Sequence, residues 1–222
     1  KGICDSEYNQ YPISNIHQLS KLLEEQPGLS GLNVTIPYKQ SVIPFLNELD
    51  LTAETIGAVN TIKISRISGK IQLIGYNTDA IGFEKSLIPF LKSWHTQALI
   101  LGTGGASKAV EYVLKKLGIS YNLISRTPNS PNALGYHDLD KNIITSHTLI
   151  INTTPLGMYP NIDSCPDIPY DLLGNRHLLY DLVYNPSMTL FMKKGESQGS
   201  ATTNGMAMLQ YQALEAWEIW NA

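Results

Sequence analysis

Two short stretches of this chain carry more chemistry than a folding core needs. Asn33-Val-Thr-Ile-Pro-Tyr-Lys39 offers an amide, a hydroxyl and an ammonium group, and Asn77-Thr78-Asp79 offers an amide, a hydroxyl and a carboxylate. Reducing a carbonyl requires a hydride and a proton for the developing alkoxide. A lysine that a carboxylate positions can donate that proton and stabilise the negative charge, which makes Lys39 and Asp79 the candidate catalytic pair. Either residue alone reads as an ordinary solvated side chain, and Asn77 could equally cap a helix that begins near Asp79. The occurrence of both polar clusters at the ends of strand-like runs is what carries the reading.

A third stretch, Ala98-Leu-Ile-Leu-Gly-Thr-Gly-Gly-Ala-Ser107, reads as a strand feeding a glycine-rich turn and then a helix. Glycines let the backbone approach a pyrophosphate, and the helix N-terminus adds N–H donors and a partial positive charge. Gly102, Gly104 and Gly105 fit that pattern, while Ser107 stands where the third glycine of the fingerprint belongs and weakens the match. A nucleotide P-loop is excluded, because Ser107-Lys108-Ala109 has neither the glycine before the lysine nor the hydroxyl after it. A plain tight strand-to-helix turn is the simpler alternative; the elements on both sides favour a dinucleotide. About 20 positions further on, where a carboxylate would select the unphosphorylated cofactor, the chain reads Ser125-Arg126-Thr127. A guanidinium and two hydroxyls suit a 2′-phosphate, so NADP is preferred over NAD, the competing reading being a solvated arginine at a strand end. Polar groups for a substrate in one half and a dinucleotide turn in the other describe an oxidoreductase.

Other chemistries find little support. The five histidines (His17, His95, His137, His147 and His177) have no zinc-ligand spacing, so no metal is expected. No Gly-x-Ser-x-Gly nucleophile elbow occurs. A net charge of −3 gives no electrostatic case for nucleic acid or for an anionic membrane surface. No apolar run approaches the length of a membrane span, and Cys4 and Cys165 lie far apart, which suits a reducing compartment. A cytoplasmic protein is expected.

The elements that must position these groups follow from periodicity. Ile13 to Glu25 has a helical apolar repeat with Ser14 as its cap, Leu29 to Ile36 reads as a buried strand, and Lys39 to Leu49 resumes a helix that Pro44 must enter early or kink. Gly57 to Ile64 and Ile71 to Tyr76 read as strands around a turn at Ile67 to Lys70, followed by a helix from Asp79 to Trp94. A βαβ series then runs through a strand at Ala98–Leu101, a helix at Ala106–Leu117 stopped by Gly118, and strands at Tyr121–Ser125, Leu149–Asn152 and Leu178–Tyr184. Thr127 to Ser146, rich in Pro, Asn and Asp, gives no clear pattern, and Asn204 to Trp220 is an amphipathic helix. The fold class expected is α/β in two domains: an N-terminal α/β substrate domain over residues 1–80, completed by the C-terminal helix at 204–222, and a Rossmann-like, doubly wound dinucleotide-binding domain over 95–203.

In order along the chain, Asn33-Val-Thr-Ile-Pro-Tyr-Lys39, Gly57-Ala-Val-Asn-Thr61, Asn77-Thr-Asp79 with Gly82, Leu101-Gly-Thr-Gly-Gly-Ala-Ser107, Ser125-Arg-Thr127, Asn152-Thr-Thr-Pro-Leu-Gly-Met158, Asp181-Leu-Val-Tyr-Asn-Pro186, and Asn204-Gly205 leading to Met208, Leu209 and Gln212 resemble the shikimate dehydrogenase family. The resemblance implies NADPH-dependent, reversible reduction of 3-dehydroshikimate to shikimate in aromatic amino-acid biosynthesis, by a monomer or homodimer. It implies that Lys39 and Asp79 are catalytic, that Thr35, Asn60 and Gln212 hold substrate hydroxyls, and that Tyr184 lies near the substrate carboxylate. It implies further that Gly102, Gly104, Gly105 and Ala106 cradle the pyrophosphate, that Ser125, Arg126 and Thr127 take the 2′-phosphate, and that Thr153, Gly205 and Met208 line the nicotinamide side. Many relatives carry Asn where Ser125 stands.

One departure bears on the substrate domain. The family normally begins with a strand and a Ser-x-Ser loop that binds the substrate carboxylate, and nothing after Lys1-Gly-Ile-Cys4 matches it. Two expectations stand side by side: if those residues are absent from the protein, the substrate domain lacks its first strand and exposes a sheet edge; if they only precede this sequence, the substrate domain is an ordinary one. Two other readings keep the fold: a quinate or cyclitol dehydrogenase with relaxed cofactor use, and a dinucleotide-binding regulatory homologue without redox chemistry. The retention of both Lys39 and Asp79 argues against the second.

Overall fold

The computed structural model describes residues 6–67, 69–128 and 133–222. Cys4 and the rest of the opening run lie outside the described residues, as do parts of the expected Ile67–Lys70 turn and of the Thr127–Ser146 segment.

The first half builds a four-stranded sheet from β1 (Gly31–Asn33), β2 (Glu48–Leu49), β3 (Thr61–Ile67) and β4 (Lys70–Tyr76), in the order β1-β3-β4-β2. β3 runs antiparallel to both of its neighbours, and β2 runs parallel to β4. Helices α1 (Gln18–Glu25), α2 (Tyr38–Ser41) and α3 (Leu51–Ile56) surround it. Its core gathers Leu19, Leu23, Val42, Ala53, Val59, Ile62, Ile64 and Leu73. The register places Asn33 opposite Thr61, and Thr61 opposite Tyr76. The end of β1, the start of β3 and the end of β4 therefore meet at one edge of the sheet, bringing together the two polar stretches of the sequence. On its other side β1 pairs with no strand among the described residues. It faces a groove of about 1100 Å³ lined by Tyr8, Leu19, Leu29, Val34 and Trp220 among others.

Helix α4 (Thr78–Leu87) leads into a second sheet, built from β5 (Gln97–Leu101), β6 (Ser120–Ile124), β7 (Ala133–Leu134), β8 (Leu149–Asn152), β9 (Leu178–Asp181) and β10 (Ala201–Thr203). All six strands are parallel, in the order β10-β9-β8-β5-β6-β7. The chain moves outward from β5 to β7, then returns to the far side of β5 with β8, so the order reverses between β5 and β8. Helix α5 (Gly105–Lys116) lies with α4 on one face, while α6 (Lys141–Ser146) and α7 (Leu190–Ser197) cover the other. Strands covered on both faces need apolar residues throughout. Ile100, Ile151 and Tyr180 accordingly face Phe83, Val110 and Leu114, while Leu99, Ile150 and Leu179 face Ile144 and Phe191. Helix α8 (Met206–Asn221) returns from this sheet to the first, where Trp220 Nε1 donates to Ile62 O at 3.0 Å.

The fold class is the α/β arrangement expected, with a Rossmann-like parallel sheet, but several elements differ. The expected Ser14-capped helix from Ile13 begins only at Gln18, with His17 at its N-cap, because the Ser14 N–H and hydroxyl bond Gln18 Oε1 instead. The Leu29–Ile36 strand contracts to Gly31–Asn33. The Lys39–Leu49 helix breaks after Ser41: Pro44 sits in a 3-10 turn at Ile43–Phe45, and Glu48–Leu49 pairs with β4. The strand expected from Gly57 starts at Thr61, since Leu51–Ile56 is a helix capped by the Asp50 carboxylate and ended by Gly57. Pro89 ends the regular part of α4 at Leu87, short of Trp94. The Leu178–Tyr184 strand stops at Asp181, whose carboxylate accepts the Val183 N–H and turns the chain. Helices α6 and α7 and strands β7 and β10 went unread.

Candidate active site

The substrate-side edge collects Lys39 from α2 and Asp79 from the first turn of α4, with Lys39 Nζ 2.6 Å from Asp79 Oδ2. Their side chains retain 20% and 13% exposure, enough to meet a solute and little enough to limit screening. Asn77 caps α4 by accepting the Ala80 N–H at 3.2 Å, as its cap reading anticipated, and it also donates to Ala58 O at 2.9 Å. Asp79 thus sits in the positive end of a helix, where a carboxylate is favoured by roughly 0.3–1 kcal/mol.

Beside this pair runs a buried polar chain. Asn60 Oδ1 accepts the Thr78 N–H at 2.7 Å, and Asn60 Nδ2 donates to Gln212 Oε1 at 3.3 Å. The Thr61 and Thr78 hydroxyls lie 3.1 Å apart, and Asn33 Nδ2 donates to Thr61 Oγ1 at 3.2 Å. Asn60 is only 3% exposed, so its amide is largely engaged in holding Gln212 and Thr78. Sequence reasoning noted the Asn33 amide and the Thr78 hydroxyl within the polar stretches without giving either a role, and it gave none to Thr61. Their signal was available, as each neighbours a selected residue within the same polar stretch. Thr35 is exposed and lines the groove beside β1.

The second edge lies at the carboxyl ends of the parallel strands, the side on which open α/β sheets hold ligands. Gly102 follows β5, Ser125 follows β6, Thr153 follows β8, and Gly205 comes shortly after β10. Gly102 has φ 108, and a Cβ there would lie 2.8 Å from Thr153 Oγ1, so only glycine fits at the point where strand order reverses. Gly104 and Gly105 face open space, and no side chain caps the N-terminus of α5. These residues fit a pyrophosphate-bearing cofactor: the cradle is clear and the first-turn donors are unclaimed by any side chain. Ser107, which weakens the fingerprint match, is accommodated: it is 1% exposed and its hydroxyl donates to Gly104 O at 2.7 Å. Ala106 is half-buried in the first turn of α5.

Beyond β6, Ser125 Oγ accepts the Thr127 N–H at 3.2 Å, shaping a turn that leaves Arg126 and Thr127 exposed. Burial raises the Tyr136 hydroxyl above its usual pKa, and the Arg126 charge pulls it partly back. Tyr184 is 43% exposed beyond β9. Met208 is buried instead, packed with Phe83 and Tyr180 in the core beneath the edge.

Helix α8 joins the two edges. It begins at Gly205 beside the parallel sheet and carries Gln212 to Asn60 and Thr78, seven residues or about 10 Å along a helix. The helix approaches α4 closely, since a Cβ on Gly82 would stand 2.6 Å from Met208 O. On the neighbouring strand the Tyr180 hydroxyl lies 2.6 Å from Ser86 Oγ on α4, fixing that helix against the parallel sheet. Helix α8 thus ties the polar cluster beside the ion pair to the carboxyl edge of the parallel sheet. Among the described residues no group of three or more His, Cys, Asp or Glu side chains could hold a metal ion.

Comparison with known proteins agrees with this geometry. A family model described as the shikimate dehydrogenase substrate binding domain matches residues 3–62. The chain is 42% identical to a shikimate dehydrogenase (NADP(+)) of Methanococcus maripaludis, over 86% of this chain and 72% of that one. It is 38% identical to a shikimate dehydrogenase (NADP(+)) of Desulforamulus reducens, over 87% and 72%. Among solved structures, a shikimate 5-dehydrogenase of Thermus thermophilus, in complex with NADP(H) and shikimate, superposes with a TM-score of 0.77 at 29% identity, over 90% of this chain and 76% of that one. At 38% and 42% identity over 72% of the length of these relatives, the chain belongs to the shikimate dehydrogenase family.

Proposed function

We propose that this protein catalyses the reversible, NADPH-dependent reduction of 3-dehydroshikimate to shikimate. The observation that carries the reading is the 2.6 Å Lys39–Asp79 pair set beside a polar cluster that α8 ties to the carboxyl edge of the parallel sheet. When bound, NADPH supplies the hydride. Lys39 Nζ holds the proton for the developing alkoxide, and Asp79 orients the ammonium group and balances its charge. Thr35 and Gln212 hold ring hydroxyls, Asn60 fixes Gln212, and Tyr184 meets the substrate carboxylate. Gly102, Gly104, Gly105 and Ala106 receive the pyrophosphate; Arg126 and Thr127, set by the Ser125 turn, receive the 2′-phosphate. Thr153 and Gly205 flank the nicotinamide side, with Met208 packed behind them. Lys39, Asp79 and the glycine turn belong to one chain, so a single copy supplies every group in this scheme. The setting is cytoplasmic in the same reading, in keeping with the free thiol of Cys165.

The test is oxidation of shikimate with NADP, followed by the absorbance of the reduced nicotinamide. Turnover that depends on shikimate and on NADP supports the assignment. A folded protein that is silent with this pair but turns over quinate with NAD would replace it.

A further inference from the structure

We propose that Asp181, paired with Asn152, is a positioning residue that sets all three strand-end segments on the nicotinamide side of the crevice. The inference rests on the cofactor reading above and adds a residue to which that reading gives no role.

Asn152 and Asp181 are the last residues of β8 and β9, they face each other in register, and both are 0% exposed. Asp181 Oδ1 accepts from Asn152 Nδ2 at 2.9 Å and from the Val183 N–H at 3.0 Å, while Oδ2 accepts from Thr189 Oγ1 at 2.6 Å. The polarity of this cluster is fixed by groups that cannot reverse. The Val183 N–H can only donate. Asn152 Oδ1 is held by the Thr154 N–H at 3.0 Å and its hydroxyl at 2.6 Å, so the amide nitrogen of Asn152 must face Asp181. Position 181 must therefore accept, and an ionised carboxylate accepts with both oxygens.

Each partner leads to a different loop. Through Asn152 the carboxylate sets Thr154, and with it Thr153, whose hydroxyl donates to Leu101 O at 2.8 Å beneath the Gly102 turn. Through Val183 it sets the segment that carries Tyr184, and the Val183 carbonyl in turn accepts the Gly205 N–H at 3.2 Å. A Cβ on Gly205 would lie 2.1 Å from Leu182 O, so that junction tolerates no slack. Through Thr189, the N-cap of α7, it fixes the far end of the same loop. The segments after β8, β9 and β10 thus hang from one carboxylate. No Lys or Arg forms an ion pair with Asp181 among the described residues. A residue kept only for packing needs no buried acceptors there, whereas three converging donors do.

The experiment uses the full chain with Asp181→Ala, Asp181→Asn and Asn152→Ala. NADPH affinity is read by fluorescence without substrate, and amide hydrogen exchange is followed in parallel. Asp181→Ala is expected to raise the Kd for NADPH at least tenfold and to speed exchange at Thr154, Val183 and Gly205, leaving the Thr78 and Ala80 amides on the substrate edge unchanged. Asp181→Asn, which keeps an oxygen for Val183 and Asn152 and turns its NH₂ toward Thr189, is expected to recover most of the affinity. A folded Asp181→Ala protein with wild-type NADPH affinity, or faster exchange confined to Val183, overturns the proposal. If that variant does not fold, Asn152→Ala must show the same loss, and wild-type affinity in it is equally decisive. If the wild-type protein binds no NADPH, the cofactor reading fails, and exchange at the three amides still decides whether the clamp exists.

Discussion

Lys39 Nζ and Asp79 Oδ2 meet at 2.6 Å from two different helices, 40 positions apart in the chain. Neither helix packs the other through this contact; the sheet register beneath them, Asn33 against Thr61 against Tyr76, brings their starting points together. Lys39→Ala is expected to lower kcat by a factor on the order of 10²–10⁴ with little change in the KM for shikimate. Steady-state kinetics with NADP in excess checks this, and a near-normal kcat would remove Lys39 from the chemistry.

Arg126 is exposed at the end of β6, in a turn shaped by Ser125. In the proposed scheme it meets a phosphate that NAD lacks. Arg126→Ala should therefore raise the KM for NADP by about tenfold, the scale of a lost charge-assisted contact of ~1.5 kcal/mol, and leave the KM for NAD unchanged. Equal changes for both cofactors would move Arg126 out of the 2′-phosphate site.

Gly82 lets α4 and α8 approach closely, since a methyl group there would meet Met208 O at 2.6 Å and Gln212 Cβ at 3.0 Å. Gly82→Ala should destabilise the protein by roughly 1–3 kcal/mol, as overpacking does, despite the better helix propensity of alanine. It should also displace Gln212 from Asn60, so that the KM for shikimate rises while NADPH affinity holds. Thermal melts and the two binding constants measure this together; a more stable variant would contradict the packing argument.

Burial pushes the Asp181 carboxyl up from 3.8 to about 6, against the opposing pull of hydrogen bonds from Thr189, Val183 and Asn152. The native state then binds this proton more tightly than the unfolded chain does. Its contribution to stability is complete below about pH 4 and is lost as pH rises through about 6, a span that corresponds to ~3 kcal/mol. Asp181→Asn carries no such proton. The stability of the wild type minus that of the variant should fall between pH 4 and 6 and stay level above pH 7. Denaturant melts across that range give the answer, and a difference independent of pH would show that Asp181 does not titrate in this window.

Much of the parallel sheet was legible because its strands are buried on both faces and so appear as unbroken apolar runs: Leu149–Asn152 was read to the residue. The glycine turn was legible for a related reason, since a strand, a turn and a helix follow one another without interruption from Gln97 to Lys116. The substrate half was harder. Its strands β1 and β2 hold three and two residues, too few for a periodicity of two to show. Local chemistry also cut helices short, through Pro44 and Pro89. The Lys39–Asp79 pair was found because both residues sit in polar clusters at the ends of strand-like runs. Asp181 was quoted within a motif but given no task, because its task depends on Asn152 standing beside it, 29 positions earlier in the chain. Adjacency of that kind is created by strand order and cannot be read along one strand alone.

Gln212, which reaches Asn60 across 152 positions of sequence, also sets an order of events during synthesis. Loop closure over such a span is slow compared with local pairing. A chain still emerging from the ribosome can form the Lys39–Asp79 pair and the whole β3–β4 hairpin early, yet it has no amide side chain to complete the polar chain until α8 has left the exit tunnel. The Lys39–Asp79 pair can thus form before the polar chain beside it is complete.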